Sequence, residues 1–140
     1  MATPQTLTAT VKGLLDDLTN IDIYDGVPPS VVRNGVPYVI YYPNPGSALR
    51  DRLTASPAKL RWDARIVCCG WNPTQLIGTV STIRDTLTGI RIDTGLSSSP
   101  LNEVDNSATV LESAATTATQ SEGALPRYSY TLQYRLYTQR

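Results

Sequence analysis

From Leu60 to Ile66 the chain alternates strictly, with Leu60, Trp62, Ala64 and Ile66, and beyond them Cys68, on one parity and Arg61, Asp63 and Arg65 on the other. Successive side chains of an extended strand point to opposite faces, so Leu60–Cys69 is a β-strand with one apolar and one charged face. The end of the chain repeats the signal. Tyr128, Tyr130, Leu132, Tyr134 and Leu136 alternate with Ser129, Thr131, Gln133, Arg135 and Tyr137. Two long strands, each apolar on one side, require a second layer to cover that side. The sequence supplies two helical stripes that fit. Leu7, Val11, Leu14, Leu15 and Leu18 follow the helix-start pair Thr3-Pro4, and Leu76, Val80, Ile83 and Leu87 follow a second such pair, Asn72-Pro73, and end before Gly89. Asp16 and Asp17 oppose the dipole of the first helix, so its last turn should fray.

Shorter elements fill the gaps. Ile21–Asp25 reads as a short strand broken by 26–29, and Asn34-Gly35 as a turn. Val36–Tyr42 is nearly continuous in β-formers and is predicted to be a buried strand, with Pro37 confined to its first residues. Pro43-Asn44-Pro45-Gly46 ends it and opens a flexible loop over about 43–58. Ile90–Ile92 and Ala108–Glu112 are candidate short strands, and 113–124 reads as a second flexible loop. The expectation is a single domain over 1–140 with the order α-β-β-β-α-β-β. Its fold class is α+β: a two-layer sandwich of two helices on one face of an antiparallel or mixed sheet.

Whole classes of chemistry are disfavoured. The chain has no His, which excludes Ser-His-Asp triads, Cys-His dyads and imidazole metal sites. Cys68 and Cys69 are adjacent, unlike the C-x₂₋₄-C spacing of a zinc clip, and read as one core thiol and one on the opposite strand face. No phosphate-cradling glycine motif occurs, and hydroxyl nucleophiles lack a base, since only Lys12 and Lys59 are lysines. We therefore expect no enzyme activity, no cofactor and no metal. The first ten residues do not resemble a signal peptide and no apolar run approaches the ~20 residues of a membrane span, so the expectation is a soluble protein made inside the cell, without a membrane partner.

Charge is where the chain departs from the ordinary. Charged residues make up 17%, against about 25% in soluble domains, and twelve bases balance twelve acids. A neutral, sparsely charged surface suits a subunit held against neighbours better than a protein that grips nucleic acid. Ten of the twelve bases are Arg, whose planar fork favours interfacial pairing. Arg50, Arg52, Arg61 and Arg65 lie in a basic stretch, whereas 93–126 holds Asp93, Glu103, Asp105, Glu112 and Glu122 with no base. Either this is ordinary surface charge, or one copy's acidic segment meets the next copy's basic strand. On the second reading the interface candidates are Arg50, Arg52, Arg61, Arg65, Arg135, Glu103, Asp105 and Glu112, with Tyr41, Tyr42 and Tyr137 as aromatic anchors. Tyr128, Tyr130 and Tyr134 are assigned to the core.

The segments YDGVPPS, PYVIYYPNPG, RWDARIVCCG, the helix opening NPTQ and the final RYSYTLQYRLYT, in that order behind an amphipathic helix, together resemble the tail terminator (tail completion) proteins of long-tailed bacteriophages, above all those infecting actinobacteria. The resemblance spans most of the chain and rests on element order and loose strand motifs. It implies a hexameric ring that caps the tail tube, stops its polymerisation and joins it to the head–tail connector or stopper protein. DNA would pass through the lumen without specific binding, with no catalysis and no cofactor. The place implied is the head-proximal end of the virion tail, assembled in the host cytoplasm. The polar faces of the strands Leu60–Cys69 and Arg127–Thr138 would turn to neighbours or lumen. Alternatives are a head-closure or adaptor protein, a tail-tube subunit or, from another class, a small nucleic-acid-binding regulatory domain using Trp62 and Trp71.

Overall fold

The structure, a computed structural model, describes residues 4–26, 33, 35–45, 47–49, 59–91, 99–104, 111–112 and 128–139. In chain order these form α1 (Pro4–Asp16), β1 (Asp22–Asp25), β2 (Tyr38–Pro43), β3 (Ser47–Leu49), β4 (Lys59–Gly70), α2 (Pro73–Leu87), β5 (Asn102–Glu103), β6 (Leu111–Glu112) and β7 (Tyr128–Gln139). The sheet runs β1-β2-β4-β7-β5, with β3 on β4 and β6 on β7. Among the described strands only the β1–β2 pair is parallel; the remaining pairs are antiparallel. The centre is the long β4–β7 ladder, paired from Lys59↔Gln139 to Gly70↔Tyr128.

Both helices cover one face, and the expected α+β sandwich is borne out. Leu7, Val11 and Leu15 of α1 and Leu76, Val80, Ile83 and Leu87 of α2 share one core with Trp62, Ala64, Ile66 and Cys68 of β4 and Leu132, Tyr134 and Leu136 of β7. The alternation seen in the sequence is the alternation of burial. Tyr128 and Tyr130 pack against this core only partly buried, while Tyr134 is fully buried and shares a 3.1 Å hydrogen bond with Thr88.

Helix α2 starts as its Asn-Pro pair requires. The Asn72 side chain accepts a 2.8 Å bond from the Gln75 N–H, Pro73 stands at the first helical position, and Gln75 reaches back to accept from the Trp71 N–H. Gln75 also donates to the Gly35 carbonyl and the Trp71 indole to the Val36 carbonyl, tying this helix end to the turn before β2. The helix stops at Thr88, followed by Gly89 at φ 79°, where a left-handed residue closes the helix with no Cβ penalty. Helix α1 ends at Asp16, beyond which the Leu18 N–H bonds the Leu15 carbonyl in a tightened turn.

Three expectations about order need correction. The stretch 43–58 is not simply a loop, since Ser47–Leu49 pairs antiparallel with Lys59–Arg61. Ile90 and Arg91 are not in a strand; Ile90 is held by its carbonyl, which accepts from the Leu101 N–H. A strand unforeseen from the sequence, β5, pairs Asn102 and Glu103 with Arg135 and Tyr134. The order is therefore α-β-β-β-β-α-β-β-β. Of Ala108–Glu112, the described residues Leu111 and Glu112 are strand, and the 113–124 expectation lies outside the described residues.

Candidate subunit interface on the sheet

The sheet face turned away from the helices grades from apolar to charged along the strands. At one end Tyr38, Ile40 and Cys69 are buried, ringed by half-buried Tyr24, Tyr42, Val67 and Trp71. Tyr24 and Tyr38 meet edge-to-face with centroids 5.6 Å apart. At the other end the register sets Tyr42 beside Arg65 and Gln133, Asp63 beside Arg135, and Arg61 beside Tyr137.

The electrostatics of that end are asymmetric. Arg135 Nε donates to Asp63 at 2.7 Å, and Arg61 Nε lies 3.4 Å from the other carboxylate oxygen. The second approach meets ion-pair distance without hydrogen-bond geometry, and Arg61 Nε is buried with no hydrogen-bond partner among the described residues. Asp63 holds the Arg135 guanidinium above its ordinary pKa, chiefly through that hydrogen bond. Arg65 has no carboxylate partner among the described residues; its guanidinium stacks over the Tyr42 ring, 4.8 Å from the centroid. Arg61 and Arg135 thus share the Asp63 carboxylate, and a third guanidinium, that of Arg65, stands on the same face without one. A recess of about 310 Å³ opens beside Arg65 and Arg135, its lining including Tyr42, Asp63, Val104 and Gln133. Among the described residues, Tyr137, 43% exposed, is one of two large hydrophobic side chains left on the surface; Ile77 of α2, 64% exposed, is the other.

The sequence candidates divide accordingly. Arg61, Arg65, Arg135, Tyr42 and Tyr137 gather on this one face. Tyr41 does not: it is fully buried beneath α1, its hydroxyl donating to the Thr8 carbonyl at 3.3 Å, because it shares the parity of core residue Val39. It cannot serve as an interface anchor. Glu103 accepts two 3.0 Å bonds from Arg84 of its own chain, and this pairing raises the Arg84 pKa while tying β5 to α2. Glu112 lies in β6, and Arg50, Arg52 and Asp105 lie outside the described residues. Ile77, which sequence reasoning missed, was visible only as an apolar residue beside the Leu76–Val80 stripe, off its buried face.

Cys68 and Cys69 face opposite sides of the sheet, as the alternation requires, and both are buried free thiols. Burial pushes both thiol pKa values up, which suppresses the thiolate. Neither is expected to react with iodoacetamide in the native protein, whereas both should be alkylated after denaturation, as intact mass will read. Rapid native labelling would contradict this burial. Among the described residues no group of three or more Cys, Asp or Glu is placed to hold a metal ion, and no helix is long and apolar enough to cross a membrane.

No protein-family model matches the sequence, and no curated protein matches it. Among solved structures, the fold resembles a chain of the virion of native gene transfer agent (GTA) particle, with a TM-score of 0.59, 15% identity, and coverage of 99% of this chain and 98% of that one. At that identity the likeness is one of fold: from end to end, this chain is folded like a subunit found in a virion particle.

Proposed function

We propose that this chain is a structural virion protein, a tail terminator that forms a hexameric ring on the tail tube, halts tube growth and provides the seat for the head–tail connector. The observation that carries the reading is the end-to-end fold likeness to a chain of a virion particle. The order of sequence segments supports the finer assignment. The reading involves no catalysis and no cofactor. DNA crosses the lumen, and an overall charge of zero suits a passage that must not retain phosphate. By the same reasoning the arginine-rich sheet face belongs against a neighbouring subunit. In the bore, repeated guanidinium–phosphate contacts would resist sliding.

The test is tail assembly with and without this chain. Tubes made in its absence should be overlong and variable in electron micrographs, and adding the purified protein back should restore uniform length. Tubes of normal length in its absence would overturn the proposal. Long tubes formed by the purified protein alone would make it a tube subunit instead.

A further inference from the structure

Among the described residues, the two large hydrophobic side chains left exposed lie in different layers, Tyr137 on the arginine-rich sheet face and Ile77 on α2, with Asp85 two turns further on. Tyr137 is directly opposite Arg61 on the sheet face that carries Arg61, Arg65 and Arg135 with Asp63. Ile77 belongs to the helix layer. With Ser81 and Asp85 it forms an exposed stripe at i, i+4 and i+8 along α2. Asp85 has no ion-pair partner among the described residues, just as Arg65 has none. Beside Ile77 opens a recess of about 190 Å³, walled by Leu76, Val80 and Tyr130 with Ser81 and Arg84 at its polar side.

The spacings match. Ile77 and Asp85 are eight helical residues apart, roughly 12 Å at 1.5 Å per residue. Arg65 lies four steps along β4 from Arg61, and Tyr137 stands beside Arg61 on the neighbouring strand, so Tyr137 and Arg65 are roughly 14 Å apart at 3.3 Å per residue and about 4.8 Å between strands. A tyrosine ring seated beside Ile77 therefore brings Arg65 to Asp85 in the same contact. Because β7 alternates, Tyr137 and Tyr130 face opposite sides of the sheet, so one copy cannot fill its own recess.

We infer that the α2 stripe Ile77–Ser81–Asp85 and its recess receive the Tyr137–Arg65 sheet face of a second copy of this chain. The two patches differ, so the contact is head-to-tail, the kind that closes into a ring when its rotation permits. The inference rests on the ring reading above and adds which surfaces meet. It replaces Glu103, already paired with Arg84 in its own chain, by Asp85 as the acid that crosses the interface.

Disulfide trapping tests it on the full chain, since native Cys68 and Cys69 are buried. Tyr137→Cys protein is mixed with Ile77→Cys protein and mildly oxidised, with Thr10→Cys, at an exposed position on α1, as the control partner. The expected product is a covalent dimer carrying one chain of each kind, several-fold more abundant than either homotypic dimer or the control pair. The Tyr137→Cys/Ile77→Cys double variant should give a ladder ending at the ring. Adding Asp85→Arg to the Ile77→Cys chain should cut the mixed product several-fold, and adding Arg65→Glu to the Tyr137→Cys chain should restore it. Homotypic dimers alone, mixed yields no higher than control, or no rescue would overturn the contact. Failed trapping with overlong tails in the chain's absence rejects these surfaces and keeps the terminator reading. Efficient trapping with normal tails does the reverse.

Discussion

Trp62→Ala is expected to destabilise the fold by about 3–5 kcal/mol, the range for emptying a buried large aromatic site, which for a domain with about 5–15 kcal/mol in hand leaves little folded protein on mild heating. Trp62 is fully buried in the first half of β4, paired with Leu136, where it packs in the layer between sheet and helices. Trp62→Phe should behave quite differently. The indole N–H has no hydrogen-bond partner among the described residues although it is buried. An orphaned buried donor carries a desolvation cost of about 1–3 kcal/mol. Phenylalanine sheds that donor while keeping most of the apolar volume, so its net cost should stay below about 1.5 kcal/mol, close to that of a near volume-conserving swap. Urea unfolding reads both, as a shift in midpoint at constant slope. Should Phe prove as damaging as Ala, the indole N–H must have a partner and the packing account of this site is wrong.

The same residue shows why the framework was legible in the sequence. A strand buried on one face writes its orientation into every second residue, and a helix on a sheet writes a stripe at i, i+3 and i+4. For β4, β7, α1 and α2 local pattern and tertiary burial say the same thing, so the helix-on-sheet sandwich followed. Where both faces of a strand are apolar, parity is silent. Tyr38 through Tyr42 are all good β-formers, and only pairing Val39 with Cys68 and Tyr41 with Ile66 decides that Tyr41 goes inward and Tyr42 outward to Arg65. Strands β3 and β5 are too short to carry a period at all. Strand β5 exists through long-range ties: the Arg84–Glu103 fork and the bonds that Leu101 makes with Gly89 and Ile90. The arginines of the candidate interface were readable from alternation, but which acids remained unpaired was not, because that depends on residues nineteen apart in sequence such as Arg84 and Glu103 meeting in space.

Two glycines eight residues apart should respond to alanine with opposite signs. A Cβ on Gly70 would lie 2.9 Å from the Leu76 backbone nitrogen, closer than real Cβ atoms come, and a tight 3.0 Å from its Cα. Those atoms cannot swing aside. Leu76 is fully buried, and its N–H is bonded to the Asn72 carbonyl at 3.0 Å in the first turn of α2. Gly70 is not among the described glycines with positive φ, Gly26, Gly35 and Gly89, so what fixes glycine here is the close approach of strand end to helix start. Gly70→Ala must push β4 and α2 apart, and overpacking of this kind costs about 1–3 kcal/mol. At Gly78, in the exposed interior of α2, an added Cβ meets nothing within 4 Å. Gly78→Ala should instead gain about 0.5–1 kcal/mol from better helix propensity and a less flexible unfolded chain. Thermal unfolding of the two variants beside the parent reads the signs directly. Equal, small effects at both positions would mean that β4 and α2 do not meet as closely as Leu76 and Gly70 require. The joint matters beyond stability, because it sets the angle at which the Ile77–Asp85 stripe stands to the arginine face of the sheet. Gly70→Ala should therefore also lower the yield of the mixed Tyr137→Cys and Ile77→Cys dimer at temperatures where the protein is still folded, while Gly78→Ala leaves that yield unchanged.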